Sequence, residues 1–229
     1  MRVGILSDAH GNIAGLEKCV RFLARQHVSR YLFLGDAIGY FPHDQAVCAL
    51  LASIPVVMVE GNNEAMLSGI LPMTDAMREI IRPPDAGEPH IRKWLHLCKA
   101  VGPRRLLTID GKRLYLVHAG LEDPYTGRMD KAAAAALKDC DAILAGHTHR
   151  PEVTYLEDGK LLLNPGSCGY PRDNGAWLSV AVLETQDLSA SVYRIPNVVD
   201  EKTLQQVHPA VAETLKRDFP IFGTKVEDT

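Results

Sequence analysis

The chain has 229 residues, of which 46% are hydrophobic and 23% charged, and its formal net charge is -3. This composition is typical of a globular protein with its own core, and the small net charge disfavours a nucleic-acid polymer as partner because such surfaces are usually basic. The five cysteines form no CxxC pair, no apolar run reaches the roughly 20 residues of a membrane helix, and the N-terminus is too polar for a signal peptide. We therefore predict a cytoplasmic protein with reduced thiols and no membrane partner.

Short runs rich in valine, isoleucine and leucine recur along the chain, and each is predicted to be a strand buried on both faces. The runs cover residues 3–6, 31–34, 56–59, 114–117, 142–145 and 161–163. Apolar residues at helical spacing lie between the runs, for example from Ile13 to Leu23. This alternation of strand and helix indicates an α/β architecture.

The segment from about residue 65 to 105 interrupts this alternation. It contains five prolines with helical stretches between them. We predict that it is a helical insertion over one end of the sheet, within a single domain of residues 1–229. Further along, residues 177–183 and 189–195 predict two antiparallel strands, and residues 201–216 predict a helix.

Side chains that can bind metal ions follow five of the apolar runs. Because ligands of α/β sheets bind beyond the carboxyl ends of the strands, these side chains are predicted to meet at one edge. They are Asp8 and His10, Asp36, Asn62, His118, and His147 with His149. The residues two apart point the same way on an extended segment. Glycines before Asp36, Asn62 and His147 are expected to allow the backbone to turn sharply.

The types of these residues indicate the metal. Carboxylate and amide oxygens together with imidazole nitrogens suit Mn, Fe, Zn or Ni. Cysteine is absent from the set, which argues against a structural zinc site. A single aspartate or histidine after a strand is usually a turn or surface residue, but five such strand ends in one chain favour a metal centre.

At these residues the chain resembles the calcineurin-like metallophosphoesterases, and in particular their small bacterial and archaeal branch. The family motifs are D-x-H, G-D, G-N-H-D/E, H and G-H-x-H. The corresponding residues are Asp8-Ala9-His10, Gly35-Asp36, Gly61-Asn62-Asn63-Glu64, His118 and Gly146-His147-Thr148-His149, and Asn164-Pro165-Gly166-Ser167 resembles a loop of that branch. The resemblance implies an α/β fold in which a sandwich of two β-sheets is flanked by helices, in four α/β/β/α layers.

The resemblance also implies two divalent transition-metal ions, with Mn first and Ni, Fe or Zn as alternatives. One metal would be held by Asp8, His10, Asp36 and His149, and the other by Asp36, Asn62, His118 and His147. The implied reaction is hydrolysis of a phosphodiester or phosphomonoester by a hydroxide bridging the metals, with catalytic roles for Asp36, Asn62 and His118.

One position departs from the family pattern. The histidine that often follows the motif asparagine, and that is thought to protonate the leaving group, is Asn63 here. An amide has no titrating proton, so Asn63 cannot act as a general acid. His43 is a candidate substitute. Together with Asn62, Asn63, Arg150 and Arg172, it is also a predicted contact of the substrate.

Two functional classes stay open at this point. The first is an enzyme that acts on a small phosphoester. The second is a metal-binding scaffold for protein interactions, since the retromer scaffold subunit of eukaryotes shares this fold and also lacks that histidine. The complete ligand set favours the enzyme. The sequence does not select a substrate among phosphoesters, and it is compatible with a homo-oligomer.

Overall fold

The computed structural model describes residues 1–226. Within that range the chain forms two mixed β-sheets that pack face to face. The first sheet has the order β11 (Thr224–Lys225), β10 (Ser189–Pro196), β9 (Trp177–Glu184), β1 (Arg2–Leu6), β2 (Arg30–Phe33), β3 (Val56–Met58). The second has the order β4 (Arg104–Ile109), β5 (Lys112–Val117), β6 (Ala142–Ala145), β8 (Leu161–Pro165), β7 (Pro151–Tyr155).

Helices cover the outer faces of this sandwich. In chain order they are α1 (Ile13–Arg25), α2 (Asp44–Ser53), α3 (Asn62–Leu67), α4 (Asp75–Ile81), α5 (Pro89–Val101), α6 (Lys131–Ala136), α7 (Glu201–Leu204) and α8 (Pro209–Thr214). Helices α1, α2 and α5 pack on the first sheet, and α6 packs on the second. The predicted four-layer fold is confirmed.

The alternation of side chains along β1 shows how the layers form. Val3 and Ile5 belong to the core between the two sheets, whereas Leu6 points into the core beneath the helices. All three are fully buried, as expected for a strand covered on both faces. The predicted apolar runs are therefore central strands.

The parallel pairing of the central strands positions the site. In the first sheet β1 pairs with β2 and β2 with β3, and in the second β5 pairs with β6 and β6 with β8, all in parallel. The carboxyl ends of the strands in each set therefore lie at one edge of their sheet.

Some features differ from the sequence-based expectation or were missed by it. The predicted helix over 201–216 is wrong: it is divided into α7 and α8, because Pro209 cannot continue a helix and instead starts the next one. Strands β4 and β7 were not predicted. Both are edge strands with mixed polar and apolar residues that are largely exposed or half-buried, so neither produces a continuous apolar run.

The segment from 65 to 105 contains α4 and α5, with its prolines in the connections and at the first position of α5. Helix α5 packs beside α2 and buries Ile91, Trp94 and Cys98 in the helical layer of the first sheet. The division into domains stays a prediction, and its last three residues lie outside the described range. Among residues 1–226, no helix is long and apolar enough to cross a bilayer. The cysteines are buried free thiols in this part of the chain.

Candidate metal centre

The predicted ligands lie where the parallel strands end. In the first sheet, Asp8 and His10 follow β1, Asp36 follows β2, and Asn62 begins α3 after β3. In the second sheet the ligands follow β5 and β6. The two sheets bring these ends together, although the residues come from positions up to 141 apart along the chain.

One group of donors surrounds Asp8 and is fully buried. His10 Nε2 lies 3.8 Å from Asp8 Oδ1, and His149 Nε2 lies 3.4 Å from the same oxygen. The two imidazole Nε2 atoms are 3.1 Å apart. Two imidazole nitrogens and a carboxylate oxygen thus converge on one point, which is the donor set of a transition-metal site.

A second group of donors surrounds Asn62 and Asp36. His118 Nε2 lies 2.9 Å from Asn62 Oδ1 and 3.7 Å from Asp36 Oδ2, and His147 Nδ1 lies 3.0 Å from Asn62 Oδ1. Asp36 Oδ2 is also 3.6 Å from His10 Nε2, so this carboxylate touches both groups. Asn62 and His147 are half-buried, and the second group therefore faces outward.

Backbone carbonyls orient three of the histidines. In each case the protonated Nδ1 atom donates a hydrogen bond to a carbonyl oxygen. The lone pair of Nε2 is then directed into the centre. The pairs are His10 with Ile38 at 3.2 Å, His118 with Leu34 at 2.6 Å, and His149 with Tyr170. The histidines are thus held in the tautomer that binds a metal through Nε2.

The backbone of the ligands is unusual. Five of them have positive φ angles, a region that residues other than glycine seldom occupy. These are Asp8 at 57°, His10 at 49°, Asp36 at 60°, His147 at 66° and His149 at 57°. Such conformations persist only where the surrounding structure imposes them, and they cluster at functional sites.

The glycines before the ligands serve two purposes. Gly35 has a φ of 93°, which agrees with the expected sharp turn before Asp36. Gly61 is needed for a different reason, because a Cβ atom there would lie 2.1 Å from Asp36 Oδ1. At Gly146 a Cβ atom would lie 2.0 Å from Ser7 Oγ. At these two positions the glycine permits a close approach of side chains rather than a turn.

Glu64 holds the loops that carry two of the ligands. Its buried carboxylate accepts hydrogen bonds from the backbone N–H groups of Asp36 at 3.1 Å, Ala37 at 2.7 Å and Gly61 at 3.2 Å. Trp94 Nε1 donates a fourth at 3.2 Å. Burial, followed by the charge of Asp36, raises the pKa of Glu64 to about 7. This residue connects the loop after β2 to the start of α3, so it fixes the spacing between Asp36 and Asn62.

Burial lowers the pKa of the site histidines. It holds the pKa of His10 and of His149 well below the usual value, and the charge of Arg172 lowers both further. It also lowers the pKa of His147 to about 3, with smaller contributions from His118 and Arg172. These imidazoles are therefore neutral near pH 7, which is the form that binds metals.

The two central carboxyl groups are shifted in the opposite direction. Burial, and then the charge of Asp36, raise the pKa of Asp8 well above its usual value. Burial raises the pKa of Asp36 to about 7. Two carboxylates in a dry site are costly unless cations neutralise them.

These residues fit a divalent metal. Asp8 Oδ1 is fully buried and has no hydrogen-bond partner within residues 1–226, although an orphaned carboxylate oxygen is rare in a folded protein. Ligand atoms of Asp8, His10 and His149 all lie within 4.8 Å of one another, and so do those of Asp8, Asp36 and His118. An oxygen and nitrogen donor set of this kind suits Mn, Fe, Zn or Ni.

The sequence and the fold both match known proteins. The family described as "Calcineurin-like phosphoesterase superfamily domain" matches residues 1–188. This chain belongs to the calcineurin-like phosphoesterase superfamily. The family binds divalent metals, so the candidate centre has the expected chemistry, while the number and identity of the metals stay predictions.

Three relatives illustrate the range of the superfamily. An uncharacterized protein of Methanocaldococcus jannaschii is 22% identical over 213 residues, or 84% of this chain and 86% of that protein. A metallophosphoesterase from Sphaerobacter thermophilus is 24% identical, with a TM-score of 0.70 over 94% of this chain and 98% of its own. A hypothetical protein from Pyrococcus horikoshii OT3 is 16% identical, with a TM-score of 0.75 over the same shares. At these identities the solved structures show the shared fold.

The predicted substrate contacts lie in different surroundings. Asn63 is buried, and its amide donates to the carbonyl of Ile38 at 2.8 Å and lies 3.2 Å from His10 Nδ1. Asn63 therefore packs behind His10 and does not face the open side of the centre. His43 is exposed at the N-terminus of α2. Arg150 is exposed and lines a cavity beside the second group of donors.

Arg172 is the best-positioned of the predicted contacts. Its guanidinium lies 5.4 Å from the centre of the Tyr170 ring, and its Nη2 lies 3.5 Å from the hydroxyl oxygen of Tyr40. Its charge lowers the pKa of both central carboxyl groups. It lines the same cavity, of about 630 Å³, as Arg150 and His147.

Some residues of the site were not identified from the sequence. The sequence places Glu64 at the acidic position of the third motif, but it does not indicate that Glu64 holds the ligand loops. Arg128 and Arg217 also line the cavity, but neither belongs to a motif, and no local signal distinguishes them from other surface arginines.

Proposed function

We propose that this protein is a metal-dependent phosphoesterase that hydrolyses a small phosphodiester or phosphomonoester. The supporting observation is the centre itself, in which seven metal-binding side chains are linked by short contacts and its histidines are held neutral. A site of this kind beside a cavity of about 630 Å³ suits a small-molecule substrate.

We assign the metals to the two groups of donors. Asp8, His10 and His149 would hold one ion, and Asn62, His118 and His147 the other, with Asp36 shared because its carboxylate lies near both groups. When bound, such ions lower the pKa of coordinated water and stabilise charge on phosphate oxygens. Mn is the first candidate, and Ni, Fe and Zn follow.

The side chains of the chain itself orient the substrate. Asn62 and His147 are the half-buried members of the set, so the phosphate would approach from their side. Arg172 is held over Tyr170 next to this entrance, and its planar fork of N–H donors matches two phosphate oxygens. It would bind the substrate and compensate for the charge that develops during the reaction.

The side chain of Asn63 cannot protonate the leaving group. His43 is exposed, and Asn63 is buried against the Ile38 carbonyl. We therefore infer that esters with acidic leaving groups are better substrates, because an aryl oxide of low pKa leaves without a proton.

The scaffold is the other candidate. A scaffold would bind metal through the same residues and would not hydrolyse phosphoesters. The enzyme is favoured because a protein relieved of catalysis has no need of a complete ligand set. Location in the cytoplasm and a possible homo-oligomeric state stay predictions.

The test combines metal content with activity. Protein reconstituted with Mn, Ni, Zn, Fe or Mg would be analysed for bound metal and then assayed on a panel of phosphoesters. We expect two equivalents of metal and metal-dependent hydrolysis.

The variant Asp36→Asn should lower the metal content and abolish hydrolysis while the circular dichroism spectrum is retained. Glu122→Gln, which removes an exposed carboxylate, is the control. Saturation at one metal would refute the two-metal centre, and bound metal without any hydrolysis would favour the scaffold.

A further inference from the structure

The cavity beside the metal centre has a strongly cationic wall. Its charged lining residues are Arg128, Lys131, Arg150, Arg172, Arg217 and Glu152. Five positive side chains thus face one carboxylate, in a chain whose formal net charge is -3. Lys131 lies 3.7 Å from Glu152, which offsets part of its charge.

In the described part of the chain, two arginines of this wall have no other contact that uses their charge, and a third has one hydrogen bond. Within residues 1–226, the guanidinium groups of Arg128 and Arg150 have no hydrogen-bond or ion-pair partner, and both side chains are exposed to the cavity and solvent. Arg217 donates only to the backbone carbonyl of Arg172, at 3.3 Å. Like charges that gather beside a single carboxylate repel each other, and a bound anion would relieve that repulsion.

The cationic wall is contiguous with the metal centre. His147 belongs both to the second group of donors and to the lining of the cavity. Burial and then the charge of His118 are the main causes that lower the pKa of His147, and the charges of Arg172 and Arg128 lower it further, so both arginines lie within electrostatic reach of that imidazole. A substrate whose reacting phosphate lies at Asn62 and His147 would therefore extend its other groups along the arginines.

The chemistry of the wall identifies these other groups. Guanidinium forks bind phosphate oxygens through paired hydrogen bonds. The metals and Arg172 would neutralise the reacting phosphate, so the other arginines are available for a further anionic group. A cavity of about 630 Å³ accommodates a small molecule and not a polymer strand.

We propose that the substrate of this protein carries a second phosphate besides the one that is hydrolysed, and that Arg128, Arg150 and Arg217 bind it. This proposal rests on the proposed function for the identity of the reacting group. The binding of the second phosphate by the arginines does not require the metals, and the two can be tested separately.

The binding test uses the full chain after removal of metals on a chelating resin. Calorimetry would compare adenosine 3′,5′-bisphosphate, adenosine 5′-monophosphate and citrate. We expect both phosphates to bind, because without metals the arginines can hold the single phosphate of the monophosphate as well as the second phosphate of the bisphosphate. The double variant Arg128→Gln/Arg150→Gln should weaken the binding of each at least about tenfold, as the loss of one charge-assisted hydrogen bond or more implies. The matched double variant Arg25→Gln/Arg105→Gln, which changes the net charge equally at exposed positions away from the cavity, should leave both affinities unchanged.

The activity test uses the metal-loaded protein and two esters with the same leaving group. These are thymidine 5′-(p-nitrophenyl phosphate) and the same compound with a 3′-phosphate. We expect the 3′-phosphate to raise kcat/KM at least about tenfold, and the double variant to remove this gain. Binding insensitive to the double variant, citrate binding as tightly as the bisphosphate, or hydrolysis that the 3′-phosphate does not accelerate would overturn the proposal. Arginine-dependent binding without hydrolysis of either ester would instead refute the proposed function alone.

Discussion

Glu64 offers a direct test of how the centre is built. We consider Glu64→Gln, which keeps the size of the side chain and replaces one carboxylate oxygen with an NH₂ group. Each carboxylate oxygen of Glu64 accepts two hydrogen bonds. Oε2 accepts from the backbone N–H groups of Asp36 and Gly61, and Oε1 accepts from the backbone N–H of Ala37 and from Trp94 Nε1. In the amide, one oxygen keeps its two donors, while the NH₂ group faces two donors that it cannot pair.

The magnitude follows from the number of donors left unpaired. Two buried N–H groups without a partner cost about 1–3 kcal/mol each. Removing the charge of Glu64 also removes the cost of burying that charge and its repulsion with Asp36. These two effects raise the pKa of Glu64 in the folded protein, so their removal offsets part of the loss. We expect Glu64→Gln to lower the free energy of unfolding by about 2–4 kcal/mol.

The assay is urea unfolding of metal-free protein, followed by circular dichroism at pH 8. This pH lies above the pKa of about 7 for Glu64, so the wild-type carboxylate is ionised. Absence of metal prevents a change in metal binding from contributing to the measured stability. Glu122→Gln makes the same chemical change at an exposed position and should alter stability by less than about 0.5 kcal/mol. A loss below about 1 kcal/mol for Glu64→Gln would refute the idea that its four hydrogen bonds hold the ligand loops.

Three further outcomes are expected. Burial raises the pKa of Asp44 to about 7, so at mildly acidic pH the folded state keeps a proton that the unfolded state has released. The free energy of unfolding should therefore fall as the pH rises from about 4.5 to 6.5. Because Asp44→Asn keeps the acceptor for the N–H of Gly39, it should remove about 1.4 kcal/mol per pH unit of this slope in urea titrations of metal-free protein, and an unchanged slope would contradict the assignment. Lys160→Met should destabilise the fold by about 1–3 kcal/mol, since the buried ammonium donates to carbonyls of Ala134 and Leu137 at the end of α6; a neutral result would show that burying the charge outweighs these bonds. For leaving groups, kcat/KM should fall steeply as their pKa rises; a shallow slope would show that another residue already donates the proton.

The sequence by itself determined the fold class and the centre of the site. Central strands must be apolar on both faces, so they appear as short runs of valine, isoleucine and leucine in the chain. Metal ligands must be of a few residue types, and their positions after strands are visible as short motifs such as Asp8-Ala9-His10. These properties are local, and a linear sequence records them.

Only the tertiary structure decided what lies around that centre. Edge strands such as β4 are half-exposed, so no continuous apolar run identifies them. The carbonyl that orients His149 belongs to Tyr170, and the cavity unites Arg128 with Arg217 from a distant part of the chain. Carbonyls are present in every residue, and surface arginines are common. Neither has a distinguishing pattern in the sequence, because it is their position relative to the centre that gives them a function.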